Sequence, residues 1–244
     1  MHVFGNAVRI QELVNLCREK NIRVVEDATE SLGTFYLDDE RESVHTGTVG
    51  DIGCFSFNGN KIITTGGGGM LITASPSMAR EARYLTTQAK DDEVRYLHHE
   101  IGYNFRLTNI QAAIGVAQLE RLPEFLKIKR NNFISYKEKI DRIGGLSLSA
   151  GPAYARNNNW MYALRIDDKR YGKSREELMA HLAAQGIQTR PVWHLNHLQR
   201  PYLNCQQYRI EKAYRLHAMT LNIPCSVGLS EKDILYVVEK LNNA

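Results

Sequence analysis

A lysine and an aspartate, each placed at or just after the end of a short apolar run, are the residues of this sequence most suited to shared chemistry. Lys61 follows the aromatic run Cys54–Phe57 and a turn-forming stretch. Asp27 ends the β-branched run that begins at Ile22. Because open α/β sheets bind ligands at the carboxyl ends of their strands, Asp27 is expected at a binding edge, and Lys61 follows a second strand end.

The two side chains suggest carbonyl chemistry. A buried carboxylate needs a cationic partner, and a protonated pyridine nitrogen is one such partner. An aspartate held against that nitrogen makes the ring an electron sink, while a lysine near a ring aldehyde would form a Schiff base with it. Taken singly, however, a lysine in a polar loop is most often a solvated surface charge.

Four consecutive glycines, Gly66–Gly69, follow Lys61 and precede a predicted strand, Met70–Thr73. Such a run is useful where backbone must approach another group closely or adopt a positive φ. It completes neither a Walker loop nor a dinucleotide-binding fingerprint. A tight connection between strands is the simpler interpretation.

Four motifs, in this order, resemble those of the DegT-like sugar aminotransferases: Val25–Gly33, Phe55–Lys61, Gly66–Gly69 and Gly102–Arg106. These enzymes use pyridoxal 5′-phosphate (PLP), have the aspartate-aminotransferase fold type and act on nucleotide-linked keto sugars. The resemblance runs along the whole chain. It implies an α/β fold in which part of a three-layer sandwich with a mostly parallel sheet is followed by a smaller α+β domain, with residues 1–123 and 124–244 as the two domains.

The resemblance also implies roles for individual residues. Lys61 corresponds to the lysine that forms the internal aldimine with PLP, and Asp27 to the partner of the pyridine nitrogen. Ser56 corresponds to a phosphate ligand. Asn104 corresponds to a residue that reaches the phosphate across the interface of a homodimer.

Two positions depart from the family pattern, and two others have open alternatives. Glu30 stands where the family usually has Gln, near the cofactor 3-hydroxyl, and we expect it to contact the cofactor with its protonation state open, since a carboxylate would repel a phenolate. Gly67 stands where Glu is usual. Arg106 is expected to bind an anionic group or to form a structural ion pair. His197 is expected near the mouth of the active site, or else is a surface histidine.

The resulting prediction is PLP-dependent transamination of a nucleotide-linked keto-deoxy sugar, with glutamate as the amino donor. Relatives are expected to carry a further N-terminal segment that helps to hold the phosphate. Two alternatives remain open. The chain is a non-catalytic remnant or a subunit completed by another chain, or it binds a nucleotide sugar without PLP chemistry.

Composition excludes several other classes of function. The formal net charge of +4 is mild and spread along the chain, so nucleic-acid binding is not expected. The four cysteines are far apart and lack metal-binding spacing, which favours reduced thiols in a cytoplasmic protein and no metal site. No apolar run approaches about 20 residues, so no membrane span is expected.

Local patterns place the remaining elements. Thr108, Ser174 and Ser230 each begin a capping-box pattern and therefore predict helix starts. Pro123 interrupts a long helical pattern that ends near Gly144. Residues 34–50 contain a run of charges and are predicted to form a solvated loop.

Overall fold

A computed structural model describes residues 1–38 and 41–244, which form two compact units. The first unit contains residues 1–126 and 151–160, and the second contains residues 127–150 and 161–244. The sequence did not indicate that residues 151–160 belong with the first unit. The predicted domain division at residue 123 stays a prediction.

The described residues form both helices and strands, as expected for a mixed α/β protein. They are α1 (Ile10–Glu19), β1 (Val25–Asp27), β2 (Phe35–Asp38), β3 (Arg41–His45), β4 (Ile52–Ser56), β5 (Gly69–Ile72), α2 (Pro76–Thr86), α3 (Asn109–Glu120), α4 (Leu122–Ile140), β6 (Leu146–Leu148), β7 (Ala155–Arg156), β8 (Tyr162–Ile166), α5 (Asp168–Tyr171), α6 (Arg175–Ala184), β9 (Arg190–Pro191), α7 (Glu211–Met219), β10 (Thr220–Ile223) and α8 (Glu231–Asn242). Short 3-10 helices span Val3–Gly5, Asn196–Leu198 and Arg200–Tyr202.

A three-stranded sheet in the order β1-β4-β5 organises the first unit. Strands β1 and β4 are parallel, and Asp27 pairs with Cys54. Strand β5 returns antiparallel to β4. The residues that follow β1 and those that follow β4 therefore leave the sheet at the same edge, which places Asp27 and Lys61 at one end of it.

The prediction of a solvated loop over residues 34–50 is wrong, because β2 and β3 form an antiparallel hairpin there and β7 pairs with β2. Three apolar residues, Phe35 to Leu37, precede the charges and supply the strand, and the Phe35 ring packs edge-on against His45 with centroids 4.8 Å apart. Of the charge run from Asp38 to Glu42, residues 39 and 40 lie outside the described residues.

The second unit has its own antiparallel sheet, ordered β6-β8-β10-β9, and its own core. Fully buried side chains from helices and strands meet there: Tyr136, Ile140, Tyr162, Leu164, Leu178, Leu182, Leu221 and Leu241. The predicted strand from Ile187 to Trp193 is paired only over Arg190–Pro191. Helix α7 and strand β10 were not predicted.

All three predicted capping boxes form. In each, the hydroxyl accepts a hydrogen bond from the backbone three residues later, and that residue's side chain bonds back to the cap. The N-caps are Thr108, Ser174 and Ser230. Pro123 lies at the start of α4, so the break falls between two helices.

A buried histidine–glutamate pair fixes the strand that carries Asp27. The Glu26 carboxylate contacts His2 Nε2 at 3.0 Å and accepts the backbone N–H groups of Gly47, Val49 and Gly50 at 2.8, 2.6 and 2.5 Å. The backbone N–H of His2 donates to the Asp27 carbonyl at 3.0 Å. These hydrogen bonds fix the end of β1 through the Glu26 side chain and through the backbone carbonyl of Asp27.

We expect Glu26→Gln to destabilise the protein by about 3 kcal/mol at pH 7, since it removes the charge of a buried carboxylate that is hydrogen-bonded to His2 and to three backbone N–H groups. Burial alone would raise the pKa of Glu26, but His2 and the three N–H groups outweigh it and hold the pKa below its usual value. The carboxylate therefore stabilises the fold above its unfolded pKa, and this contribution is lost as pH falls through the lower folded pKa. Urea unfolding of wild type and variant at several pH values measures the difference.

Glu12→Gln is the matched control, because Glu12 forms an exposed pair with Arg9. Its expected cost is below about 0.5 kcal/mol. An equal loss in the two variants, or a loss at Glu26 that does not shrink under acid conditions, would contradict the assignment.

Candidate active site

The loop after β4 holds Lys61 in place through backbone hydrogen bonds. The Lys61 N–H donates to the Asn58 carbonyl at 3.0 Å. The loop then turns back, and the Thr65 N–H and the Thr64 hydroxyl both donate to the Phe57 carbonyl at 3.0 Å. The Lys61 ammonium lies over the Trp160 ring, 4.2 Å from its centroid.

Lys61 interacts electrostatically with two carboxylates, Asp27 at the end of β1 and Glu30 just after it. Burial lowers the pKa of the Lys61 ammonium, and Glu30 and Asp27 act in the opposite direction without cancelling the effect. The pKa therefore lies below that of an exposed lysine, and more of the amine is the nucleophilic free base at neutral pH. The residues predicted to act together do lie in one electrostatic environment.

A small cavity is lined by Lys61 and Glu30 but not by Asp27. Its lining residues come from the segment after β1, from the end of β4 and the loop that follows, and from residues 158–160: Thr29, Glu30, Leu32, Ser56, Lys61, Ile62, Ile63, Asn158 and Trp160. Of the predicted site residues, Glu30, Ser56 and Lys61 thus share a cavity wall. Thr29, Asn158 and Trp160 were not predicted from the sequence.

The Asp27 carboxylate is held on one side only. Its Oδ1 accepts the Thr29 hydroxyl at 2.7 Å and the Thr29 N–H at 3.2 Å. Oδ2 has no hydrogen-bond or ion-pair partner among residues 1–38 and 41–244. A half-buried carboxylate with one fixed and one unused oxygen suits a cationic N–H donor.

Glu30 and Ser56 have defined partners within the first unit. Glu30 is buried, with 6 % of its surface exposed, and its Oε2 accepts the Phe4 N–H at 2.7 Å. The Ser56 hydroxyl accepts the Asn58 N–H at 3.3 Å and can still donate to another group. Their predicted contacts with the 3-hydroxyl and the phosphate stay predictions.

Asn104 and Arg106 do not line the cavity around Lys61. Both are exposed, and Asn104 forms an isolated backbone bridge with Thr87. Arg106 lines a separate groove of about 950 Å³ beside β5 and α2. The predicted role of Asn104 across a dimer interface and the anion-binding role of Arg106 stay predictions.

His197 belongs to the second unit. Its ring packs edge-on against Tyr214, with centroids 5.1 Å apart, and its buried Nε2 has no hydrogen-bond partner among the described residues. The predicted place of His197 near the mouth of the active site stays a prediction.

The glycine run has the two properties for which glycine is needed. Gly66 and Gly68 have φ of 78° and 85°. A Cβ on Gly69 would come within 2.4 Å of the Phe55 carbonyl oxygen. Gly67 differs, because its φ is not positive and a Cβ would meet only Gln111 Nε2 at 4.0 Å.

This contrast predicts that alanine substitutions at the two neighbouring glycines change the free energy of unfolding by different amounts. Gly68→Ala should destabilise by about 2 kcal/mol, because L-residues are strained at positive φ and the Cβ would lie 2.7 Å from Leu107 Cδ1. Gly67→Ala, the matched control, should be neutral or stabilise by up to about 1 kcal/mol. Urea denaturation midpoints compare the two, and similar costs at both positions would contradict this description of the loop.

No group of three or more potential metal-ligating side chains converges within residues 1–38 and 41–244. Likewise, none of the helices in this part of the chain combines the length and apolar composition that a membrane span requires.

Comparison with known proteins identifies the family. Residues 1–242 match the DegT/DnrJ/EryC1/StrS aminotransferase family. The chain belongs to this family. EpsN of Bacillus subtilis, assigned as a pyridoxal phosphate-dependent aminotransferase, is 40% identical over 199 residues, which cover 82% of this chain and 49% of EpsN. GDP-perosamine synthase of Caulobacter vibrioides is 36% identical over 243 residues, covering 99% of this chain and 64% of the synthase.

The DegT/DnrJ/EryC1/StrS assignment agrees with the fold. The aminotransferase TlmJ from Streptoalloteichus hindustanus superposes with a TM-score of 0.88 and 27% identity, over 99% of this chain and 64% of TlmJ. The predicted fold class is thereby confirmed, although the β1-β4-β5 sheet of the first unit contains one parallel and one antiparallel pair. The chain spans about half to two thirds of the length of these relatives.

Proposed function

We propose that this chain is a PLP-dependent aminotransferase that acts on a nucleotide-linked keto-deoxy sugar. The observation that carries the proposal is that Lys61, Glu30 and Ser56 line one cavity, beside the strand that ends at Asp27, in a chain of an aminotransferase family. A nucleophilic amine and a carboxylate with an unused oxygen fit the aldehyde and the pyridine nitrogen of PLP. When bound, PLP supplies an electron sink for the amino donor's α-carbon.

Each of the chain's own residues then has a defined task. The Lys61 amine would hold the cofactor at its aldehyde carbon, and as a free amine it would act as the general base toward the proton on the donor's α-carbon. Burial favours this role, because it lowers the pKa of Lys61 and so increases the fraction of free amine. Asp27 Oδ2 accepts the pyridine N–H, while Thr29 fixes the orientation of the carboxylate through Oδ1.

Ser56 and Asn104 complete the proposed cofactor site. The Ser56 hydroxyl donates to the phosphate from the end of β4, and Asn104 reaches the phosphate of a second copy in a homodimer. Exposed apolar residues near Asn104 support such an interface, since Phe105 is 70% and Ile110 77% exposed and α3 buries no residue of its own. A cytoplasmic location is proposed from the wide spacing of the four cysteines in the sequence.

The likeness to GDP-perosamine synthase supports a nucleotide-linked sugar as the amino acceptor. Glutamate is proposed as the amino donor. Arg106 is proposed to bind an anionic group of one of these substrates. His197 is proposed to lie near the mouth of the site.

Two half-reactions test the proposal. Purified protein incubated with PLP and glutamate should produce 2-oxoglutarate and convert the bound cofactor to its amine form, seen as a change in visible absorbance. GDP-perosamine in place of glutamate should cause the same spectral change. Conversion by glutamate but not by GDP-perosamine would reject GDP-perosamine as the amino-sugar product, and binding of GDP-perosamine by a colourless protein that cannot be reconstituted with PLP would favour a binding protein without transamination.

A further inference from the structure

Residues 157–160 reach the Lys61 loop from a distant part of the sequence and are fixed there by a buried asparagine. The Asn158 side-chain amide donates to the carbonyls of Glu30 and Leu32, both at 2.9 Å. Its backbone N–H donates to the Thr34 hydroxyl at 3.0 Å, and its Oδ1 accepts the Trp160 N–H at 2.9 Å. This segment is therefore attached firmly to the chain that follows Asp27.

Both the Nε1–H group and the ring face of Trp160 contact the loop that carries Lys61. Its Nε1–H donates to the carbonyl of Asn60, the residue before Lys61, at 2.7 Å. Its ring lies 4.2 Å from the Lys61 ammonium, and only 3 % of the residue's surface is exposed. The Phe4 ring packs at 6.1 Å from the indole, so the indole is enclosed.

This geometry stabilises the protonated state of Lys61. The negative face of an indole attracts a cation, and the attraction is strongest where water is excluded. The ring therefore favours the protonated amine in its present position. A hydrogen bond to the Asn60 carbonyl at the same time restricts the backbone from which the lysine side chain extends.

We propose that Trp160 is a positioning residue for Lys61: its indole face is the resting site of the lysine ammonium whenever the amine is not attached to the cofactor. The inference rests on the proposed function. During transamination the amine must leave the cofactor, stay within reach and exchange a proton. A site that holds the ammonium loosely, through a ring face and with no salt bridge from residues 1–38 or 41–244, permits this exchange.

Two substitutions of Trp160 distinguish the effect of an aromatic face on Lys61 from the effect of apolar bulk. Trp160→Phe and Trp160→Leu both remove the Nε1–H donor and keep apolar bulk, but only Phe keeps an aromatic face. Glu30 and Asp27, the carboxylates that act on Lys61, are present in both variants. Trp160→Met replaces Trp160→Leu if the latter does not unfold cooperatively.

The readout is competitive acetylation of the full chain before PLP is added. Mass spectrometry follows the peptide that contains Lys61, with exposed Lys20 as the internal reference. The rate of Lys61 acetylation should rise at lower pH in the aliphatic variant than in Trp160→Phe, and near pH 8 it should be about tenfold faster. The reason is that the ammonium loses the stabilising ring face while its burial remains.

Coincident pH profiles in the two variants would overturn the inference. Borohydride treatment of wild type after PLP addition separates this failure from failure of the proposed function. If PLP becomes fixed on Lys61 and the profiles coincide, only the positioning role is rejected. If PLP is not fixed on Lys61, the inference is rejected together with the proposed function.

Discussion

Lys61→Ala should abolish covalent attachment of PLP and lower the rate of the glutamate half-reaction by about 10³-fold or more. The substitution removes both the amine that holds the cofactor and the base that moves the proton, and proton transfer by a positioned side chain alone contributes about 10²–10⁴-fold. The half-reaction is followed by the change in visible absorbance under single-turnover conditions.

Lys20→Ala is the matched control, since Lys20 is an exposed lysine at the end of α1 in the same unit. It should leave both attachment and rate unchanged. A Lys61→Ala variant that retains the wild-type rate would show that another lysine carries the chemistry.

Asp27→Asn should leave the cofactor covalently attached but lower the half-reaction rate by about 10–100-fold. The change keeps the shape of the side chain and removes the charge that holds the pyridine nitrogen protonated. A hydrogen bond to a charged group contributes roughly 1.5–3 kcal/mol, which corresponds to this range of rates. Attachment is measured by borohydride fixation, and rate by the same single-turnover experiment.

The control for Asp27→Asn is Asp38→Asn, at the exposed end of β2. It should change neither quantity. If Asp27→Asn lost PLP attachment and rate to the same degree, the carboxylate would be needed to form the site and not to tune the ring.

Much of the site could be predicted because its main residues are close in sequence to strands with clear patterns. The apolar runs before Asp27 and Lys61 define β1 and β4, and parallel pairing brings the ends of those strands together. The capping boxes were equally clear, since each is a local hydrogen-bond pattern of residues three apart. Family resemblance then supplied the chemical roles.

The parts that could not be predicted depend on contacts between distant residues. Trp160 donates to the carbonyl of Asn60, 100 positions earlier in the chain, and no local pattern indicates this contact. The β2–β3 hairpin could not be predicted because a run of charges is typical of a solvated loop, and the pairing of β2 with the distant β7 leaves no local pattern. In the second unit, β10 was missed although its four residues are all buried.

Peptide mapping after borohydride treatment tests the central claim most directly. Wild-type protein is incubated with PLP, reduced and digested, and each lysine-containing peptide is examined by mass spectrometry for the added pyridoxyl group. We predict modification of the peptide containing Lys61, at close to one group per chain, and little on other lysines. Modification spread over surface lysines with Lys61 unmodified, or no modification at all, would contradict the proposal that Lys61 holds the cofactor.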